Sequence, residues 1–502
     1  MSGNSSSGNS SSSGSSRKHW SSGISTALSN FVVQYNYGSM SCALLIMASS
    51  VCTYDDDITM YSDCDMKGQQ REWVEPTSNS IVYLGSILGQ LTLGFCGDYF
   101  GRTIALAIAL LLTTIGAFFS AVAPPYNNDK AVSIYVVIIF FRFLMGVGVG
   151  AIFPLTATKS AEDAGDATGI STGETEHKQL NLIAASWGYF WQMPGILAPW
   201  VMMLLLNSNN NSSPSANWRA VLGMGSIPSG ICTVLLMLEY LSSDNKADKL
   251  LASRSSSKNT WDEVITYLSH RSSQYKLIGA SIPWFLFDFY IYGLGLVSGY
   301  ILISINGNPR DSNVSSKANL ILISYEEIIL LLSTIPGTIL SIVYLIPKTG
   351  YKKGQFYSFI IHSASLAIVA SFFYLISEKS NMGLLAFYTL MSCFLQIGVQ
   401  ITTFSVPSAS FPTHVRVTLN GLSCAIAKIG AVLGGSILYP IYLRSNWTVV
   451  IFICSLLAGC GAIVTHYFVD IEDSTLKNDD ETNDNIRLSN IENTKTNTLN
   501  KL

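Results

Sequence analysis

Asp288 is the residue in this chain best placed to do chemistry. It lies in the apolar run 277–303, where leaving a carboxylate ionised costs several kcal/mol. Trp284 and Tyr292 stand four residues to either side, so on a helix the three side chains share one face. A carboxyl, an indole N–H and a phenol O–H then form a polar stripe on an apolar helix. Such a carboxyl can take up a proton, donate a hydrogen bond to an oxyanion and release the proton later. Lys428, within Ala425-Ile426-Ala427-Lys428-Ile429-Gly430, is the matching cation and sits too deep in its run to extend easily to the membrane surface. Two readings of the two charges stay open: an entering anion exchanges with Asp288 on the ammonium, or they form a fixed structural ion pair. Arg142 is the third ionised group deep in an apolar run. Ahead of Gly146-x-Gly148-x-Gly150, whose small residues let helices pack closely, it reads as a structural arginine held within its own bundle.

These groups need elements that hold them inside a membrane. Charged residues make up 12% of the 502, hydrophobic residues 49%. About 25% charged is usual for soluble proteins, so the chain lacks the residues for a water-exposed surface of its size. That excludes a soluble enzyme. A net charge of −3 and nine Cys in 502 residues argue against a nucleic-acid binder and a disulfide scaffold. About 20 apolar residues span the bilayer core as a helix. Twelve such runs are expected at 26–50, 79–97, 103–124, 132–155, 179–206, 218–240, 277–303, 319–346, 356–377, 384–407, 421–443 and 447–470. The fold class is therefore an all-α membrane protein with twelve transmembrane helices in two pseudo-symmetric six-helix bundles.

Of the 29 Lys and Arg, 19 fall on the side of both termini and eight on the other, with Arg142 and Lys428 inside runs. That asymmetry places both termini in the cytoplasm. Asn-x-Ser/Thr sequons at Asn210, Asn211, Asn313 and Asn446 then face outward and are glycosylation candidates, although Asn4 and Asn9 carry the same pattern on the inner side. Cys52 and Cys64 share the first outer loop and are positioned for a disulfide if it faces an oxidising space. The domain reading is a disordered tail over 1–25, a six-helix bundle over 26–240, a cytoplasmic loop over 241–276, a second bundle over 277–470 and a disordered tail over 471–502. A six-plus-six chain of this kind suits a transporter that binds substrate at the midplane between its halves.

The turn after the second run reads Gly97-Asp98-Tyr99-Phe100-Gly101-Arg102, and the turn after the eighth reads Pro347-Lys348-Thr349-Gly350-Tyr351-Lys352-Lys353. Both combine Gly with basic residues, which suggests an internal repeat. Asp98 and Arg102 can cap helix ends and latch one conformation. At this point the chain resembles the major facilitator superfamily, and more narrowly its phosphate:proton symporters. The likeness rests on Gly85-Ser86-Ile87-Leu88-Gly89-Gln90-Leu91 leading to Gly97-Asp98, and on Arg142 through Gly150 followed by Pro154-Leu155-Thr156-Ala157-Thr158 and Glu162. It continues through Gln192 with Gly195-Ile196-Leu197-Ala198, Trp284-Phe285-Leu286-Phe287-Asp288 with Tyr292-Gly293, and Thr402-Thr403-Phe404, Pro407, Phe411-Pro412-Thr413, Arg416, Gly421 and Lys428.

The resemblance implies a substrate site of Trp284, Asp288, Tyr292, Gln400 and Lys428, with Gln192, Tyr35 and Asn36 from the first half. It implies proton coupling through Asp288, and an inner latch of Gly97, Asp98, Gly101, Arg102 and Glu162. Several positions depart from the family pattern. The fourth span of these symporters usually reads Gly-Asp-Tyr-Pro-Leu, whereas this chain has Ala151-Ile152-Phe153-Pro154-Leu155. The first-span Asp-x-Tyr-Asp is matched around Tyr35-Asn36 without a carboxylate, and Ala409 stands where a Glu is expected after Pro407. The usual carboxylate route for protons is thus missing from the first half, which leaves uniport or a proton carried by Asp288 alone.

The expected function is alternating-access transport of a small solute, foremost inorganic phosphate. An organic phosphate or another small anion is the rival within that class, and a non-transporting nutrient sensor is the rival outside it. No enzyme activity, cofactor, metal or nucleic-acid partner is expected. The partners are the solute, protons and the lipid bilayer of a plasma or organelle membrane, with the chain acting as a monomer.

Overall fold

The computed structural model describes residues 10–51, 74–123, 134–168, 183–209, 211–242, 260–306, 317–377, 381–412 and 414–469, and all of the regular structure among them is helical. In chain order the helices are α1 (Ser10–Val51), α2 (Val74–Phe100), α3 (Arg102–Ala121), α4 (Ile134–Thr168), α5 (Ile183–Ser208), α6 (Pro214–Leu241) and α7 (Thr260–Ser269). They continue as α8 (Arg271–Asn306), α9 (Lys317–Leu340), α10 (Ile346–Ser377), α11 (Asn381–Phe394), α12 (Val399–Ser410), α13 (Arg416–Arg444) and α14 (Trp447–Phe468). Cys52, Cys64, Asn210, Asn313 and the tail 471–502 lie outside the described residues, and so does the side chain of Glu162 on α4.

Ten helical segments among the described residues are long and apolar enough to cross a membrane. One of them, Lys317–Phe373, has 57 residues, about 85 Å of helix and far more than one crossing requires. Gly350, at φ 74°, turns the chain inside it, so it comprises the eighth and ninth expected crossings. The more polar helix α1 supplies the twelfth. Helix α1 starts at Ser10, ahead of the expected span over 26–50. Likewise 260–276 is not loop: α7 fills part of it, and the seventh crossing begins at Arg271.

Glycines set which helices meet. A Cβ on Gly85 or Gly89 of α2 would strike the carbonyl oxygens of Phe143 or Val147 on α4, and one on Gly146 or Gly150 of α4 would strike those of Val82 or Ser86. This close approach of small residues replaces the hydrophobic drive that lipid cannot supply. Gly195 of α5 packs on Phe31 of α1, and Gly230 of α6 faces Thr114 of α3. The second half repeats these pairings. Gly430 and Gly434 of α13 pack on Phe285 and Phe289 of α8, Gly337 of α9 packs on Cys393 of α11, and Gly461 of α14 packs on Phe359 of α10. The first-with-fifth, second-with-fourth and third-with-sixth crossings thus recur as seventh-with-eleventh, eighth-with-tenth and ninth-with-twelfth.

The two groups of helices meet along α2 and α13, where Gly94 and Gly97 approach Val417 and Gly421. On the face that carries the Gly101 and Gly350 turns, Asp98 Oδ2 accepts hydrogen bonds of 2.8 Å from both the backbone N–H and the hydroxyl of Thr418. It therefore caps the first turn of α13 from the other group, where a carboxylate also suits the helix dipole. Arg102 stands 3.8 Å from the same carboxylate. Nearby, the Ser186 hydroxyl of α5 is within hydrogen-bonding distance of Tyr351 at 2.9 Å and Ser405 at 3.3 Å. Val264 of α7 packs with Phe411, Val415 and Leu419 on this face, and Trp261 stacks on Phe95 of α2 at 5.1 Å.

Candidate substrate site between the two helix groups

Lys428 is the centre of the site. Its Nζ lies 2.7 Å from Asp288 Oδ2 and 3.0 Å from the Tyr292 hydroxyl. Lysine and aspartate side chains are each only 2% exposed, so the charges satisfy one another out of water. Gly430 and Gly434 make this geometry possible by letting α13 touch the α8 backbone. The Trp284 indole bonds the same carboxylate. The helical spacing of Trp284, Asp288 and Tyr292 therefore delivers all three groups to one place.

Four aromatic rings surround the ammonium. Its Nζ is 4.2 Å from the Tyr292 ring centroid, 5.5 Å from Tyr37, 5.6 Å from Phe153 and 5.9 Å from Tyr83. All four distances lie within the ~6 Å range of cation–π attraction. Tyr292 belongs to the second helix group, and the other three belong to the first. Their rings pack on each other, with Tyr37 5.2 Å from Tyr83 and 6.4 Å from Phe153, and Tyr83 meets Tyr292 edge-on at 5.1 Å. The α2–α4 glycine contact fixes this wall, because Ser86 of α2 donates to the carbonyls of Val82 and Gly146 and bonds the Tyr37 hydroxyl at 2.9 Å.

Toward the face carrying the turns, the pair is floored by Phe404 of α12. Its ring is 4.4 Å from Tyr189, 6.1 Å from Phe153 and 6.5 Å from Trp284. The floor draws on both helix groups, and all four of its residues are buried. It closes the site on this side with aromatic rings drawn from both groups.

Two amides complete the surroundings at helix breaks. Gln192 follows a turn at Trp191 in α5. Its Oε1 accepts from Gln34 Nε2 at 2.8 Å, Gln34 in turn bonds Tyr292, and Gln192 Nε2 is buried with no hydrogen-bond partner among the described residues. Gln400 follows the α11–α12 break, where Gly398 has φ 77°, a conformation that a side chain would strain. Gln400 bonds Tyr189. Interrupted membrane helices commonly supply polar groups to a binding site at the midplane.

The structure brings Trp284, Asp288, Tyr292 and Lys428 together, with Gln192 joined to Tyr292 through Gln34 and Gln400 bonded to Tyr189, which packs on Phe404 beside Trp284. It does not bring Tyr35 and Asn36 there. The Tyr35 hydroxyl donates to the Val221 carbonyl of α6 at 2.9 Å, and Asn36 faces Gly225 of α6 while its backbone oxygen accepts from Arg142. The helix period explains the difference: Gln34 and Tyr37, one turn apart, take the inward face, and the two residues between them point elsewhere. Arg142, bonded also to Ser39, is a packing group of the first helix group. Sequence reasoning missed Gln34, Tyr37, Tyr83 and Tyr189. The signal was present on α2, where Tyr83, Ser86 and Gln90 recur at helical spacing in an apolar run. Gly97, Asp98, Gly101 and Arg102 lie together at the α2–α3 turn against α13, Gly97 against Leu155 and Val417.

The family described as "Sugar (and other) transporter" matches residues 23–477. The chain is 29% identical to "Inorganic phosphate transporter PT2" of Toxoplasma gondii, over 90% of this chain and 72% of that one. It is 26% identical to "Repressible high-affinity phosphate permease" of Neurospora crassa, covering 73% and 71%. It is also 26% identical to "Probable inorganic phosphate transporter 1-9" of Arabidopsis thaliana, covering 71% and 74%. Among solved structures it matches the xylose transporter XylE from E. coli in a partially occluded inward open conformation. That match has a TM-score of 0.63 at 16% identity and covers 90% of this chain and 98% of that one.

Proposed function

The chain belongs to the sugar (and other) transporter family, within the major facilitator superfamily, and from that premise we propose that it carries inorganic phosphate across a membrane by alternating access. It is a multi-pass membrane transporter of a small solute and not an enzyme. The observation that carries the phosphate reading is the buried Lys428–Asp288 pair at the meeting of the two helix groups. A neutral sugar has no need of a desolvated ammonium, whereas an anion entering beside Lys428 takes over the role of the Asp288 carboxylate. The relatives named as phosphate transporters and permeases support the same substrate.

In this reading residues 26–240 and 277–470 are two bundles that rock about Lys428, with both termini in the cytoplasm and the chain working as a monomer. Trp284, Asp288, Tyr292, Gln400, Lys428 and Gln192 form the site. Asp288, released by the anion, takes any coupled proton. Asp98, steadied by Arg102 and seated between Gly97 and Gly101, holds the inner side closed through the cap on α13. Opening that side requires breaking the cap and parting the Phe404 floor.

Uptake of radiolabelled phosphate in a host lacking its own phosphate carriers tests the proposal. The wild-type chain is expected to restore saturable uptake, and Asp288→Asn to lose net accumulation. No phosphate uptake by correctly localised wild-type protein at any pH refutes the substrate.

A further inference from the structure

An anion bound to Lys428 meets two walls. The second helix group offers the Trp284 indole, the Tyr292 hydroxyl and the Gln400 amide. The first offers the Gln192 amide behind Gln34 and, directly against Lys428, three rings, Tyr37, Tyr83 and Phe153, of which Phe153 has no atom that can donate a hydrogen bond. A tightly desolvated anion needs donors on both sides, since an unpaired charged oxygen is costly to bury. Of the two phenols, Tyr37 has a held hydroxyl: Ser86 bonds it at 2.9 Å, and Ser86 is anchored by the Val82 and Gly146 carbonyls. With the single Ser86 proton directed to the Val82 carbonyl at 2.8 Å, Tyr37 is the donor in the Tyr37–Ser86 bond. Rotation about its C–O bond then re-aims that proton without moving the ring.

We propose that Tyr37 is a substrate-binding residue, its hydroxyl leaving Ser86 to donate to the anion held by Lys428 and so supplying the hydrogen bond that Phe153 does not. The exchange replaces a neutral hydrogen bond by a charge-assisted one, which is roughly twice as strong. It also makes binding depend on both helix groups at once, as alternating access demands, because Tyr37 is on α1 and Lys428 on α13. This inference rests on the phosphate reading above.

The test is the concentration dependence of radiolabelled phosphate uptake by purified protein in liposomes. Tyr37→Phe keeps the ring, its packing on Tyr83 and Phe153 and its centroid 5.5 Å from the Lys428 ammonium. It is expected to raise KM about tenfold or more, the loss typical of one hydrogen bond to a charged group, with kcat within about twofold of wild type. Tyr83→Phe, whose hydroxyl is not given this role, is expected to shift KM less. A wild-type KM in Tyr37→Phe overturns the inference, as does a fall in kcat at unchanged KM, which assigns the hydroxyl to packing. A larger KM shift in Tyr83→Phe than in Tyr37→Phe overturns it as well. Absence of uptake by the wild-type chain in the same liposomes is a different result and defeats the phosphate reading itself.

Discussion

Neutralising Lys428 and Asp288 singly and together separates a charge pair from two independent packing residues. At 2.7 Å and an effective dielectric near 20, their attraction is about 6 kcal/mol, most of it spent against taking both ions out of water. Removing one partner leaves the other desolvated and unpaired. The Tyr292 hydroxyl and the ring faces around Lys428 solvate a charge but do not neutralise it. Asp288→Asn and Lys428→Met are therefore each expected to destabilise the fold by about 3–5 kcal/mol. The double variant removes both charges and keeps similar volume, so it is expected to return to within about 1 kcal/mol of wild type, an interaction energy of at least about 5 kcal/mol. Thermal unfolding of the purified proteins in one detergent measures the cycle. Phosphate uptake is measured beside it, and the double variant is expected to be folded and inactive because no cation remains for the anion. Additive single effects in the double variant refute the charge coupling. A stable double variant with wild-type uptake refutes the role given to Lys428.

Three further outcomes follow from the packing and the coupling. Gly434→Leu drives a side chain into the Phe289 carbonyl and is expected to cost about 1–3 kcal/mol in thermal stability, with loss of uptake as α13 is pushed from α8. Asp98→Ala removes the cap on Thr418, worth about 0.5–2 kcal/mol. A cysteine placed at Ser186 is then expected to react faster with a membrane-impermeant thiol reagent applied from the side of the Gly101 turn, and an unchanged rate contradicts the latch. Any acceleration of phosphate uptake by an imposed proton gradient is expected to vanish in Asp288→Asn while phosphate exchange at equal pH persists; a surviving gradient response assigns the proton to another group.

The parts of the site readable from sequence were those set by helix period and the cost of buried charge. Trp284, Asp288 and Tyr292 share a face because they are four residues apart, and Lys428 needed an anion because it lay too deep to reach water. The aromatic wall was not readable. A tyrosine in an apolar helix looks the same whether it packs or faces a cavity, and the rotation of α1, which turns Gln34 and Tyr37 inward and Tyr35 toward Val221, is decided by its neighbours. The meeting of α2 with α13 was hidden for the same reason: Gly94, Gly97 and Gly421 read as small residues, and only the fold shows which backbone each admits. The crossings were legible from hydropathy, whereas α7 was not, since a ten-residue amphipathic helix in a polar stretch carries too weak an apolar signal.

The most direct measurement is counterflow in liposomes loaded with unlabelled phosphate and containing the purified chain. With trace radiolabelled phosphate outside, the wild-type protein is expected to draw label inward against its gradient, and the Lys428→Met/Asp288→Asn double variant to draw none. No label entry with internal phosphate, together with label entry when xylose is the solute on both sides, would contradict the assignment of phosphate to the Lys428 site.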